Sequence, residues 1–108
     1  MARIDKITQI VRAAAGTALT GILGVTLNAG GSAVPATGST DTLGVVCVNG
    51  TITAGHIVGI LIQGEIVEFG GSVGTKYYSP AGGTLGTAAA SSTYVGFTVE
   101  GDRLVVTM

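Results

Sequence analysis

The side chains that could do chemistry in this 108-residue chain are few and are not grouped. His56 is the only histidine and Cys47 the only cysteine, so one chain cannot supply the usual ligand set of a zinc site. Glu65 and Glu68 lie three residues apart, which on a strand places them on opposite faces and prevents them from acting together on one bond. Ser72 has the Gly-x-Ser-x-Gly spacing, in Gly70-Gly71-Ser72-Val73-Gly74, but the serines fall in predicted loops and none is expected in a nucleophile elbow of that kind. We therefore expect no catalytic residue, no metal and no cofactor.

These residues have simpler structural interpretations. Cys47 stands within the apolar run Val45–Val48, so we expect a buried thiol, and a single cysteine rules out an internal disulfide and fits synthesis in a reducing cytoplasm. His56 follows Ala54-Gly55 and is expected in a turn or on the surface, or as a ligand shared about an oligomer axis. The carboxylates are expected to be solvated surface charges: Glu65, Glu68, Glu100 and Asp102.

The composition favours one small β domain that spends part of its time against another protein. Glycine makes up 19 of 108 residues, about 18%, against roughly 7% in average proteins. Charged residues make up 10%, against about 25%. A surface with so few charges is expected to be partly covered by a partner. No apolar run approaches the ~20 residues of a membrane span, so the expected partner is protein and not membrane. The net charge of −1 argues against a nucleic-acid partner.

The central stretch from Thr42 to Phe69 predicts three short strands, Leu43–Val48, His56–Ile62 and Glu65–Phe69, in a tightly turned meander. Val, Ile and Leu fill the runs, and glycine stands at every break. The same pattern predicts further strands, which are Ala18–Leu19, Ile22–Leu27, Val34 with Pro35, Thr75–Tyr78, a brief Thr84–Thr87, and a final hairpin of Tyr94–Val99 and Arg103–Met108. Residues 16–108 are thus expected to form a single β-barrel-like domain.

Two glycines inside strands indicate how this domain curves. Gly44 follows Thr42-Leu43, and Gly96 follows Tyr94-Val95, each five or six residues before a glycine-containing turn. A glycine within a strand often marks a bulge, a barrel corner or a close backbone approach. Two such corners fit a small closed or half-closed barrel.

Residues 1–15 differ from the rest and are expected to form a distinct N-terminal arm. The arm holds three basic residues and one acidic residue, for a net +2, while the other residues hold two basic and five acidic, for a net −3. Ile4, Ile7 and Val11 recur with helical spacing, so a short amphipathic helix is one option, although β-branched residues disfavour it. The arm either frays or packs on its own barrel, or it docks on a neighbouring subunit.

The order of these features resembles the small capsid decoration, or cement, proteins of tailed bacteriophages. The resemblance covers residues 18–108 and is carried by Leu43-Gly44-Val45-Val46, Ala54-Gly55-His56, Gln63–Phe69, Gly74–Ser79 ahead of a Gly-Gly turn, Tyr94-Val95-Gly96-Phe97 and Arg103-Leu104-Val105-Val106. The arm is longer than the starts typical of that family. The resemblance implies an all-β fold, a small β-barrel or β-tulip of short strands with glycine-rich turns.

It further implies a structural virion protein, made in the host bacterial cytoplasm, that binds the outer capsid surface and bridges major capsid protein subunits. We expect self-association, with a trimer favoured over a dimer, and contact with the capsid through the arm residues Arg3, Ile4, Lys6, Ile7, Ile10, Val11 and Arg12. Removal of residues 2–12 is predicted to abolish that contact without unfolding the domain. Tyr77 and Tyr78 are the candidates for the contact between subunits.

Two other functions fit the same sequence. One is a small β module that binds carbohydrate or a cell surface, which predicts an exposed aromatic platform near Tyr77 or Tyr78. The absence of tryptophan counts against it. The other is a connector or tail component of the same virion, which would assemble into rings.

Overall fold

The computed structural model describes residues 2–38, 41–100 and 102–108, and these form one curled sheet of eight strands, a half-barrel. The strands are β1 (Arg3–Ala14), β2 (Leu19–Leu27), β3 (Ala33–Pro35), β4 (Gly44–Ile52), β5 (Ile57–Val67), β6 (Lys76–Pro80), β7 (Ser92–Val99) and β8 (Arg103–Thr107). The all-β prediction is confirmed. Ser39, Thr40 and Gly101, which belong to the predicted loop 37–41 and the predicted turn 100–102, lie outside the described residues, as does Met1 of the arm.

β5 is the central strand of the sheet and pairs with three others, β1, β4 and β8. β1 runs antiparallel to it along its full length, from Arg3 opposite Val67 to Ala14 opposite Ile57. The other edge of β5 is shared, because Leu61 pairs with Val45 of β4 while residues 63–66 pair with β8. The sheet therefore has two branches that extend from β5: β4-β2-β3 from its first half and β8-β7-β6 from its second half.

The branching creates two cores on opposite faces of the sheet. Neighbouring residues of β4 and β5 alternate between them, so that Val46 and Ile60 belong to the first core and Val45 and Leu61 to the second. Side chains alternate across a strand, so both faces of these central strands are buried. The first core is made of Ala15, Leu19, Val25, Ala33, Val46, Val48, Val58 and Ile60, and the second of Val45, Leu61, Ile66, Tyr77, Val95, Leu104 and Val106.

Short backbone contacts curl the sheet around each core. A parallel bridge between Ala15 and Ala33 brings the end of β1 to β3 and closes one end of the first core. Around the second core, Thr84 bridges to Leu23 of β2 and Gly86 bridges to Tyr78 of β6, so residues 84–86 span the gap between the two branches. The brief strand predicted at Thr84–Thr87 thus corresponds to two single bridges.

The arm is a strand of this sheet, and the helix considered for it does not form. β1 spans 12 residues, and its β-branched side chains suit an extended backbone beside a neighbouring strand. β5 offers a full row of backbone hydrogen-bonding groups that a helix would leave unpaired. The spacing of Ile4, Ile7 and Val11 therefore does not indicate helical turns; these residues lie on a strand whose register with β5 is irregular.

Two predicted strands are one. The sequence predicted a break at Gln63-Gly64, yet β5 continues from Ile57 to Val67. Gly64 has a φ of +155°, and a side chain there would meet the backbone carbonyl of Lys6. The glycine therefore permits close approach of β1 at the point where β5 changes partner from β4 to β8, instead of ending the strand.

The two glycines predicted to be corners, Gly44 and Gly96, are also positions where atoms of another strand approach closely. A Cβ at Gly96 would collide with the backbone of Val105 in β8, and one at Gly44 would collide with Ile60 and come within 2.9 Å of the Ile62 side chain. Each glycine lets another strand's atoms occupy the space of a side chain.

Candidate functional site

The residues most capable of chemistry stand apart from one another. In the part of the chain that the structure describes, no three His, Cys, Asp or Glu side chains come together as a metal site would require. His56 is exposed in the turn before β5. Cys47 is partly buried on β4 against the second core, and burial raises the pKa of its thiol. No helix in the described ranges is long and apolar enough to cross a membrane.

One expected surface charge is part of a bonded cluster. Arg103 donates a hydrogen bond from Nη1 to Oε1 of Glu65 at 2.6 Å, and its Nη2 lies 3.1 Å from Oε1 of Glu100. The Glu65 side chain is only 18% exposed, so the expectation of a simply solvated carboxylate is wrong at this position. The bond to Glu65 is the main cause that raises the pKa of Arg103. The cluster ties β5 to β8 on the outer face of the sheet.

The arm residues divide between anchors and exposed positions. Ile4 packs against the second core, and Ile10 covers Gly59 of β5. Ile7 is 53% and Val11 43% exposed, while Arg3 lies 3.6 Å from Glu68 in an exposed ion pair. The residues predicted to contact a partner thus lie in a strand with an irregular register, and five of the seven are exposed, while Ile4 and Ile10 are half-buried.

The position of β1 also changes what a truncation would test. Removing residues 2–12 would strip β5 of most of its pairing on one edge and expose the backbone groups that β1 now satisfies. Loss of binding by such a variant could then follow from damage to the sheet. Single substitutions at exposed positions of β1 separate the two effects.

The two tyrosine candidates lie in different environments. Tyr77 is a core residue, 9% exposed, with its ring edge-on to Phe69 at 4.8 Å and its hydroxyl accepting the Ser72 N–H at 3.2 Å. Tyr78, on the opposite side of β6, is partly exposed and meets the more exposed Tyr94 at 5.6 Å. Of the two tyrosine candidates, Tyr78 is therefore the one whose side chain is accessible to a partner.

Three strands, β1, β2 and β5, and the residue that precedes β4 form an apolar groove that the sequence did not reveal. Its volume is about 250 Å³. Val11, Leu27 and Leu43 line it and are 43%, 38% and 50% exposed. The remaining lining residues are Gln9, Ile60 and Ile62. Three of the exposed large apolar side chains of this weakly charged protein therefore converge on one place, at the open end of the first core.

A polar groove of about 300 Å³ continues the surface along the β1–β5 ribbon. It lies where β1, β5 and β8 meet and is lined by Lys6, Thr8, Gln63, Gly64, Glu65, Val105, Val106 and Thr107. Gln9 of the apolar groove is the register partner of Gln63 of the polar groove, so the two adjoin. The two adjoining grooves are together called the trough.

The sequence held only indirect signals of the trough. The arm residues Lys6 and Val11 were singled out by charge and pattern, but Leu27 and Leu43 were indistinguishable from core positions of their predicted strands. They become neighbours because β2 and β4 pair, which brings Val25 opposite Gly44. A scan against protein-family models gives no match, and a search of curated proteins gives none either.

Proposed function

We propose that this protein is a structural virion component that decorates the outer surface of an icosahedral phage capsid and bridges major capsid protein subunits. The observation that carries the proposal is that β1, the segment expected to contact the capsid, exposes Ile7 and Val11 on a chain with only 10% charged residues. Val11 joins Leu27 and Leu43 in an exposed apolar patch, and such a patch is typical of a surface that binds protein. The resemblance of residues 18–108 to decoration proteins supplies the identity of the partner.

The single-domain fold suits a mechanical role. Its two cores pack against the β1–β5 ribbon and hold the exposed side chains of β1 in place. A rigid surface loses little entropy on binding, and several weak contacts per oligomer add through avidity. A trimer is the favoured oligomer and a dimer the alternative, with Tyr78 as the candidate residue between subunits. Neither catalysis nor a cofactor is part of this function.

Co-sedimentation with undecorated heads tests the proposal. We expect saturable binding at a fixed ratio to the major capsid protein, and increased resistance of the heads to heat. Ile7→Asp should weaken binding, because it places a charge on the apolar surface of β1. Ile57→Asp is the matched control, since Ile57 is 63% exposed at the opposite end of the ribbon. Absence of binding by the folded wild-type protein would overturn the proposal.

One observation favours a second function. Tyr78, Tyr94 and Phe97 place partly exposed rings on the outer face of β6 and β7. Exposed aromatic rings are also used to bind sugars, so a carbohydrate- or cell-surface-binding module is the alternative. The two tyrosine rings meet at 64° and thus form no flat platform. Glycan-array binding that is lost in Tyr94→Ala would favour this alternative over the capsid.

A further inference from the structure

The trough combines an apolar end with a cationic end, and this combination defines what it can bind. At the apolar end, Ile60 and Ile62 form the floor, and Leu27 and Leu43 stand exposed at the rim. Gly44 keeps this end open, because a side chain there would occupy the space of the two isoleucines. The side chains of Leu27 and Leu43 are exposed to water within one chain, so an apolar side chain of a partner that covers them would be bound favourably.

The other end has one charge to offer. Lys6 lines the polar groove opposite Glu65 in the β1–β5 register. The Glu65 carboxylate is held by Arg103 at 2.6 Å, and no ion pair of Lys6 is found among the described residues. The ammonium group of Lys6 is therefore available to an incoming carboxylate. The net +2 of residues 1–15, against −3 for the remainder, gives the same preference for an acidic ligand.

The strand geometry sets the distance between the two ends. Lys6 and Val11 lie on the same strand, five residues apart. The β1–β5 register is irregular between Ile7 and Ile10, with one extra residue on each strand, so these five residues advance about four positions of the ladder, roughly 13 Å at about 3.3 Å per residue. In an extended partner, side chains share a face at even spacings, so two side chains four residues apart match this distance. The trough follows the β1–β5 ribbon between Lys6 and Val11, so its shape fits an extended backbone better than a globular knob.

We infer that the trough binds an extended segment of a partner protein that carries a large apolar side chain and, four residues away, a carboxylate. The apolar side chain fills the groove between Val11 and Leu43, and the carboxylate pairs with Lys6. In naming the major capsid protein as the source of this segment, the inference rests on the proposed function. The binding chemistry itself does not.

Peptide binding tests the chemistry without the capsid. The probe is an acetylated and amidated peptide of sequence TLTSTETT, and its controls are TSTSTETT, without the apolar side chain, and TLTSTKTT, with the charge reversed. Amide shifts of the isotope-labelled protein are followed by NMR. We expect saturable shifts at Lys6, Gln9, Val11 and Leu43 with a Kd on the order of 1 mM, and about tenfold weaker binding of each control.

Substitutions in the protein supply the reciprocal test. Leu43→Asp should abolish binding of TLTSTETT, and Lys6→Glu should reverse the preference, so that TLTSTKTT binds better. Ile57→Asp and Lys76→Glu place the same changes at exposed positions away from the trough and should leave binding intact. Shifts that do not saturate, or equal binding of the three peptides, would overturn the inference.

Heads then distinguish the inference from the proposed function. If the wild-type protein binds heads and Leu43→Asp and Lys6→Glu do not, the partner segment belongs to the capsid. If both variants bind heads as well as Ile57→Asp does, the inference fails while the proposed function stands. If sedimentation shows a self-associated species that Leu43→Asp abolishes, the trough binds a second copy and the inferred partner is wrong.

Discussion

Replacing Gly64 by alanine tests whether the N-terminal segment is packed on its own sheet, on which the account of the binding surface depends. A Cβ at this position would collide with the backbone carbonyl oxygen of Lys6 and would come within 2.9 Å of the Leu61 side chain. Because the first obstacle is main chain, no rotamer change can relieve it. β1 and β5 would have to separate locally, or β5 would have to twist.

The magnitude follows from two costs. Overpacking in a well-packed interior costs about 1–3 kcal/mol, and a backbone conformation that L-residues rarely adopt costs about 1–3 kcal/mol. The φ of +155° at Gly64 is of that kind. We expect Gly64→Ala to lower the free energy of unfolding by ~4 kcal/mol, which for a domain of this size is a fall in Tm of roughly 15–30 °C.

Gly50→Ala is the matched control. Gly50 also has a positive φ, +81°, but nothing lies within 4 Å of a Cβ built there. It should therefore cost only the backbone term, about 1–2 kcal/mol. Urea unfolding of both variants, followed by circular dichroism, measures the difference.

A result in which the two variants are equally destabilised would refute the reasoning. It would mean that the Lys6 carbonyl does not lie against Gly64, so that β1 is not held on β5 in solution. The residues of β1 would then have to be considered as a mobile arm, and the trough would lose one wall. A cost at Gly64 greater by 1 kcal/mol or more supports the described packing.

Three further predictions concern buried or bonded polar groups. The hydroxyl of Thr42 donates a 2.8 Å hydrogen bond to Ser79 in the interior, so Thr42→Val should cost about 1–3 kcal/mol in urea unfolding, and adding Ser79→Ala should recover part of it. The Thr37 hydroxyl and the Gly38 N–H donate hydrogen bonds to Asp41 and lower the pKa of its carboxyl group. The carboxylate therefore stabilises the fold above its unfolded pKa of about 3.9, and this stabilisation is lost as the pH falls through the lower folded pKa. Below pH 4, the urea midpoint of the wild type should fall more steeply than that of Asp41→Asn. Burial raises the pKa of Cys47, so iodoacetamide at pH 8 should alkylate it about tenfold more slowly in the native protein than in urea.

Each of these has a definite contrary outcome. Additive costs of Thr42→Val and Ser79→Ala would show that the two hydroxyl groups do not interact. Parallel pH profiles of wild type and Asp41→Asn would show that the Thr37–Asp41 contact is not maintained in solution. Equal alkylation rates in the native and unfolded states would place the Cys47 thiol in open solvent.

The strands themselves could be predicted from local sequence. Val, Ile and Leu runs between glycines located β2, β4, β6, β7 and β8 to within a few residues, because β-branched side chains and turn glycines act over short distances. Gly44 and Gly96 were expected to mark a bulge, a barrel corner or a close backbone approach; backbone of Val105 lies against Gly96, whereas the side chain of Ile60 lies nearest to Gly44. At Gly64 the same residue type was taken as a turn, since the sequence does not show which strand passes beside it.

By itself, the sequence determined the class of fold and the scarcity of charge. Only the tertiary structure decided that residues 3–14 form a strand, that Tyr77 is buried while Tyr78 is partly exposed, and that Leu27 and Leu43 meet Val11 around one groove. The physical reason is the range of the interactions. A strand acquires its place and its exposed face from partners that are distant in the chain, and the β1–β5 ribbon joins residues more than 40 positions apart.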